Sequence, residues 1–137
     1  MREFIRHASD VPIEIQCAPD SGYAERCGKN IGFGGLAFLS DAAIAPETIL
    51  ALRIPCLRPV FEVATARVAW CKNEGGQYAV GVQFLDSKEA FRVRMVEQVC
   101  HIENYRRDVE IQERRKLTIE EAAKEWIKRY ASSFPNP

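Results

Sequence analysis

The sequence predicts a mainly β fold: a six-stranded antiparallel barrel over residues 1–86, continued by a C-terminal α-helical extension of the same domain over residues 87–137. Three observations carry that expectation. Up to Asp86 the apolar residues alternate in short segments, as in half-buried strands. Those segments are joined by turns with no helical stretch between them, so neighbouring strands run antiparallel. Beyond Asp86 the apolar period lengthens to three or four, the spacing of one helix face. A chain of 137 residues is one domain with room for a single core. About six strands on so small a domain close on themselves, which removes exposed sheet edges.

The strands follow in order. "VPIEIQCA" places Val11, Ile13 and Ile15 on one face. "YAERCGKNI" alternates more weakly, and "GLAFLS" is short and apolar. "TILALRIP" opposes Ile49, Ala51 and Arg53 to Leu50, Leu52 and Ile54. "VFEVATARVAWCK" alternates over a long run, and after the turn "NEGG" comes "QYAVGVQFLD". The helical part opens on Asp86 and Glu89, spaced as a capping box, with Phe91, Met95, Val99, Ile102 and Val109 behind it. Glu103–Arg107 and Glu110–Arg114 add pairs at i,i+4, and a helix unbroken to Lys116 would be roughly 40 Å long. Thr118 and Glu121 form a second capping box ahead of the stripe Ile119, Ala122, Ala123, Trp126, Ile127 and Tyr130. So short and apolar a helix must pack on something, either as a hairpin within the chain or as the seam of a homodimer.

Composition excludes several function classes. The 19 Lys and Arg balance 19 Asp and Glu, so the chain lacks the net charge that drives binding to a nucleic-acid polymer. Both parts are near neutral: 8 Lys/Arg against 9 Asp/Glu before Asp86, and 11 against 10 from Asp86 onward. Five cysteines and two isolated histidines, His7 and His101, show no metal-ligand spacing, and the cysteines read as reduced residues of a cytoplasmic core. The charged N-terminus is not a signal peptide, and no stretch approaches a membrane span. The expectation is a cytoplasmic protein with no membrane insertion. No nucleophile, base or metal set stands out, so no catalysis is expected.

The stretch "KNIGFGG" demands a separate account, because three of eight glycines fall within four residues. A Walker-type phosphate loop would need Lys-Ser or Lys-Thr after its glycines at the head of a helix. Here Leu36-Ala37-Phe38 follows instead, and GxGxxG fails for want of a third glycine and a helix. What remains is a turn between two strands, carrying Asn30. Immediately before the first strand, "REFIR" sets Arg2 and Arg6 four apart. Two arginines beside a glycine-rich corner with an asparagine are suited to a small, planar anion.

With those residues in place the sequence resembles the PilZ domain family, the bacterial receptors for cyclic di-GMP. "REFIR" resembles the family's RxxxR ahead of the first strand, and "NIGFGG" its (D/N)xSxxG, through Asn30 and Gly35. "ARVAWC" and "YAVGVQFLD" resemble its fifth and sixth strands. The resemblance implies a six-stranded barrel and a second-messenger receptor. It implies that Arg2 and Arg6 grip guanine edges and phosphates, that Asn30 bonds a guanine edge, and that Gly35 lets the backbone approach the ligand. Binding would set the arm against the barrel and create a surface for an unidentified protein partner. Trp70 reads equally as a stacking surface for a base or as a core or hydrophobic-rim tryptophan, and His7 as a spacer. The motif serine is Gly32 here, which removes a hydroxyl but leaves a backbone N–H to offer, so the expected consequence is weaker binding. Two other readings compete: a degenerate member of the fold that binds only protein, and an OB-like barrel for single-stranded nucleic acid. The latter needs a basic groove with several aromatics, which this charge balance disfavours.

Overall fold

The computed structural model describes residues 6–130. Seven strands and two helices follow one another: β1 (His7–Ala8), β2 (Pro12–Gln16), β3 (Ala24–Ile31), β4 (Gly35–Ser40), β5 (Ile49–Ile54), β6 (Phe61–Glu74), β7 (Gln77–Phe84), α1 (Glu89–Glu113) and α2 (Ile119–Tyr130). All pairings are antiparallel, in the order β3-β2-β5-β6-β7-β4, and the β3–β4 pairing closes the ring. The six expected strands therefore form the barrel. The extra strand β1 pairs His7 with Ile31 and Ala8 with Asn30. It lies along the same edge of β3 as β2, so the chain runs from β1 to β2 as one interrupted strand.

Alternation puts Ile13, Ile15, Leu36, Phe38, Leu50, Leu52, Ile54, Val80 and Val82 inside, all essentially without solvent contact. The barrel core continues into α1 without a break: Phe61 stacks on Phe91 with ring centroids 4.8 Å apart, and meets Phe84 edge-on at 5.3 Å. Gln98, buried on α1, accepts the Arg58 N–H at 2.9 Å and donates to the Arg58 carbonyl at 3.0 Å, fixing the β5–β6 connection to the helix. All five cysteines are free.

The two helix starts turned out differently. The Asp86–Glu89 capping box does not form: Lys88 occupies the N-cap with no side-chain hydrogen bond, which makes Glu89 the first helical residue rather than the third. At α2 the box is complete, with Glu121 N–H donating to Thr118 Oγ1 at 3.0 Å and Thr118 N–H to Glu121 Oε1 at 2.9 Å. Arg114, in the left-handed region at φ 57°, ends α1 three residues short of Leu117 and turns the chain back. The i,i+4 pairs expected on α1 give way to others: Arg106 meets Glu103 and Asp10, and Lys116 meets Glu110. Ile119, Ala122, Ala123 and Trp126 are buried within the same chain, and Trp126 stacks on His101 of α1 at 5.8 Å. These four residues of the apolar stripe are thus covered within the chain, as a helical hairpin.

Candidate functional site

The glycine-rich corner is the tight hairpin between β3 and β4. Gly32 N–H donates to the Gly35 carbonyl at 2.9 Å, leaving Phe33 and Gly34 as a two-residue loop, and Phe84 N–H donates to the Gly34 carbonyl at 2.9 Å. The N–H that the sequence left to Gly32 for a ligand is therefore engaged in closing the turn. Gly35 serves the barrel wall itself. A Cβ there would overlap the Val82 carbonyl oxygen and lie 3.1 Å from the Val82 carbonyl carbon and 3.2 Å from Gln83 Cα. The close approach it permits is that of β4 to β7, across the barrel wall. The glycines that adopt positive φ are Gly75 and Gly76, in the β6–β7 turn.

Arg6 and Asn30 meet. Arg6 Nη1 donates to Asn30 Oδ1 at 2.7 Å, which joins the RxxxR segment to the corner over 24 residues of sequence. The bond uses the carboxamide oxygen, so what Asn30 presents outward is its NH2 group. Arg2 lies outside the described residues.

Register shows what lies beside this pair. In an antiparallel sheet, directly paired residues project from the same face. Asn30 pairs with Ala37, Ala37 with Gly81, and Gly81 with Trp70. Leu36 and Phe38, the neighbours of Ala37, point into the core, so this row runs over the outer wall of the barrel. Three strand spacings of about 4.8 Å separate Asn30 from Trp70, some 14 Å in all. Between them lie Ala37 and Gly81, both buried. A Cβ on Gly81 would overlap Trp70 Cε2 and Nε1 and lie 2.6 Å from Cζ2, so the indole lies directly on the Gly81 backbone. Trp70 remains 36% exposed. The structure thus brings Arg6, Asn30 and Trp70 to one outer strip of wall, with Gly35 one row away opposite Gln83.

Two β-bulges decide this arrangement. Two residues of β6, Ala69 and Trp70, stand where β7 supplies only Gly81, and the extra residue turns Trp70 out although Val68 points in. Likewise β3 carries an extra residue, Lys29, between Gly28 opposite Phe38 and Asn30 opposite Ala37. Lys29 reaches across the wall to Glu74 at the end of β6, with Nζ 2.6 Å from Oε1. The hydrogen bond from Lys29 holds the Glu74 carboxyl below its usual range. On the other side of the row, Arg67 donates to Glu47 at 2.7 Å and to Gln83 at 2.6 Å. Sequence reasoning gave neither Lys29 nor Glu74 a role, and only the adjacency of Lys29 to Asn30 pointed to the former.

Comparison with known proteins gives a consistent picture. The family model for the PilZ domain matches residues 1–100. No curated protein matches the sequence. Among solved structures, the PilZ domain of YcgR from Escherichia coli with c-di-GMP superposes with a TM-score of 0.64 at 12% identity, covering 81% of this chain and 98% of that one. The Bacillus subtilis inhibitor of motility, MotI/DgrA, gives 0.59 at 16% identity over 70% of this chain and 47% of its own. YcgR from E. coli in complex with c-di-GMP gives 0.56 at 14% identity over 83% and 50%. The chain therefore spans about half the length of those two proteins, and at these identities the likeness is one of fold. Among the described residues no helix is long and apolar enough to cross a membrane.

Proposed function

The chain belongs to the PilZ domain family, and on that premise we propose that it is a receptor for cyclic di-GMP that signals through a partner protein. The observation that carries this reading is the Arg6–Asn30 hydrogen bond, which joins two motif residues distant in sequence on the outer wall, in line with Trp70. Each part has a chemical task. A guanidinium forks onto guanine O6 and N7, or onto phosphate oxygens, in a bidentate charge-assisted pair. Arg2 and Arg6 supply that grip. The Asn30 NH2 group donates to a guanine edge, and the Trp70 face offers stacking worth about 1–3 kcal/mol per base. Gly32 and Gly35 act through the backbone, shaping the hairpin that holds Asn30 in place. None of these roles calls on a nucleophile or a general base, and the reading is one of binding without catalysis.

Isothermal titration with cyclic di-GMP tests it. The wild-type protein binds, and Arg6→Ala or Arg2→Ala weakens binding by about tenfold or more, because each removes charge-assisted bonds of roughly 1.5–3 kcal/mol. Affinity falls as salt is added, since phosphate contacts are screened. Unchanged affinity in both arginine variants refutes the site. One observation favours a second reading, a protein-interaction module of the same fold that binds no nucleotide: Gly32 lacks the motif hydroxyl and its N–H already closes the turn. Absence of any binding by a folded wild-type protein would select that reading.

A further inference from the structure

The Lys29–Glu74 ion pair adjoins the proposed site through Lys29, the neighbour of Asn30. The β3 bulge sets two consecutive residues, Lys29 and Asn30, opposite the single residue Ala37, so both project from the outer wall. Along β6, Trp70, Lys72 and Glu74 then alternate outward, each about 7 Å from the last. The ion pair joins Lys29, next in sequence to Asn30, to Glu74, four residues beyond Trp70 on β6. Both of its side chains stay about a third exposed, 38% and 35%, so an incoming anion can reach the ammonium.

From this geometry, and resting on the cyclic di-GMP reading above, we infer that Lys29 is a further ligand contact that reaches a phosphate of the bound nucleotide, and that Glu74 holds the ammonium until that phosphate displaces it. In the unliganded protein Glu74 occupies the place of the anion. It pairs with the ammonium at the wall, and it competes with the ligand. An ion pair that only strapped β3 to β6 would make its two halves equivalent. A pair in which one half binds and the other competes makes them opposite.

The test is calorimetric titration of cyclic di-GMP into wild type, Lys29→Met, Glu74→Gln and Arg6→Ala at low salt. Lys29→Met weakens binding about tenfold, the loss of one charge-assisted bond. Glu74→Gln tightens binding by up to about fivefold, the cost of breaking one exposed ion pair. Lys29→Arg keeps the charge and restores affinity, which separates loss of contact from loss of fold. The inference is overturned if Lys29→Met stays within about twofold of wild type while Arg6→Ala fails to bind well. It is equally overturned if Glu74→Gln weakens binding as Lys29→Met does, the signature of a strap. If wild type itself does not bind, the receptor reading fails and takes this inference with it; if wild type binds and Arg6→Ala binds as wild type, the ligand is not held at this wall and the inference fails alone.

Discussion

Replacing Gly35 and Gly81 in turn by alanine separates the structural glycine from the one that shapes the site. Neither has positive φ, so the backbone accepts a side chain at both and only the available space decides. At Gly35 the obstacle is backbone. The new Cβ would overlap the Val82 carbonyl oxygen and sit 3.1 Å from its carbon, against the 3.5–4.0 Å of an ordinary carbon–carbon contact. Relief requires β4 and β7 to part in the middle of the barrel wall. Overpacking of this kind costs about 1–3 kcal/mol, and two strained ladder hydrogen bonds add about 1 kcal/mol each, giving roughly 3–5 kcal/mol. For a domain of this size that is a fall in melting temperature of about 10–20 °C. At Gly81 the obstacle is the partly exposed indole of Trp70, which can swing outward. The loss of contact is offset by the lower unfolded-state entropy of alanine, leaving a change of under about 1 kcal/mol. Thermal denaturation followed by circular dichroism, with tryptophan emission and a cyclic di-GMP titration on each variant, reads all three quantities. Gly35→Ala melts early. Gly81→Ala melts near wild type, shifts the emission to the red and binds about tenfold more weakly through lost stacking. Similar melting points for the two variants would refute the close-approach argument, and unchanged emission and affinity in Gly81→Ala would remove Trp70 from the site.

Two further predictions concern the hairpin. Trp126→Ala removes a ring that is only 7% exposed and stacked on His101, and should cost roughly 3–5 kcal/mol while leaving nucleotide binding intact; an unchanged melting temperature would rule out its packing role. Glu125 accepts hydrogen bonds from Arg115 at 3.0 and 3.2 Å and from Tyr105 at 2.8 Å, and these hold its carboxyl down at about 2. A carboxyl lowered in the folded state contributes stability that is fully present above its unfolded value of about 4.3 and is lost as pH falls through the folded value. Melting temperatures measured from pH 5 down to about pH 2 should therefore fall less steeply in Glu125→Gln than in wild type, and parallel curves would contradict the assignment.

Alternation sufficed to read the barrel from sequence wherever the strands are regular. In β5 the inward set Leu50, Leu52 and Ile54 and the outward set Ile49, Ala51 and Arg53 are as the sequence divides them. The Thr118–Glu121 box was legible because cap, spacing and apolar stripe agree, each reinforcing the next. The Asp86–Glu89 box had the same spacing but lacked that agreement. Nothing in the local sequence tells Lys88 from Asp86 as the last extended residue, and the packing of Phe91 on Phe61 sets where the helix begins.

The candidate site was legible only in part, for a reason that can be stated at Trp70. Counting by twos from Val68 along "ARVAWC" sends Trp70 into the core, and a composition argument cannot overrule the count. The bulge at Ala69 does overrule it, and it leaves no mark in the sequence, because alanine neither demands nor forbids an extra residue in a strand. The same holds at Lys29, where the bulge turns a lysine and an asparagine to one face. Motif matching found Arg6 and Asn30 because their spacing is fixed within single segments. It could not find the surface between them and Trp70, which comes from the pairing of four strands. Nor could it see that Gly32 and Gly35 are matched to each other and to β7 through their backbone atoms. The motif glycine Gly35 also lets β4 pass against the Val82 backbone of β7, two residues along β4 from Ala37 in the row that leads to Trp70.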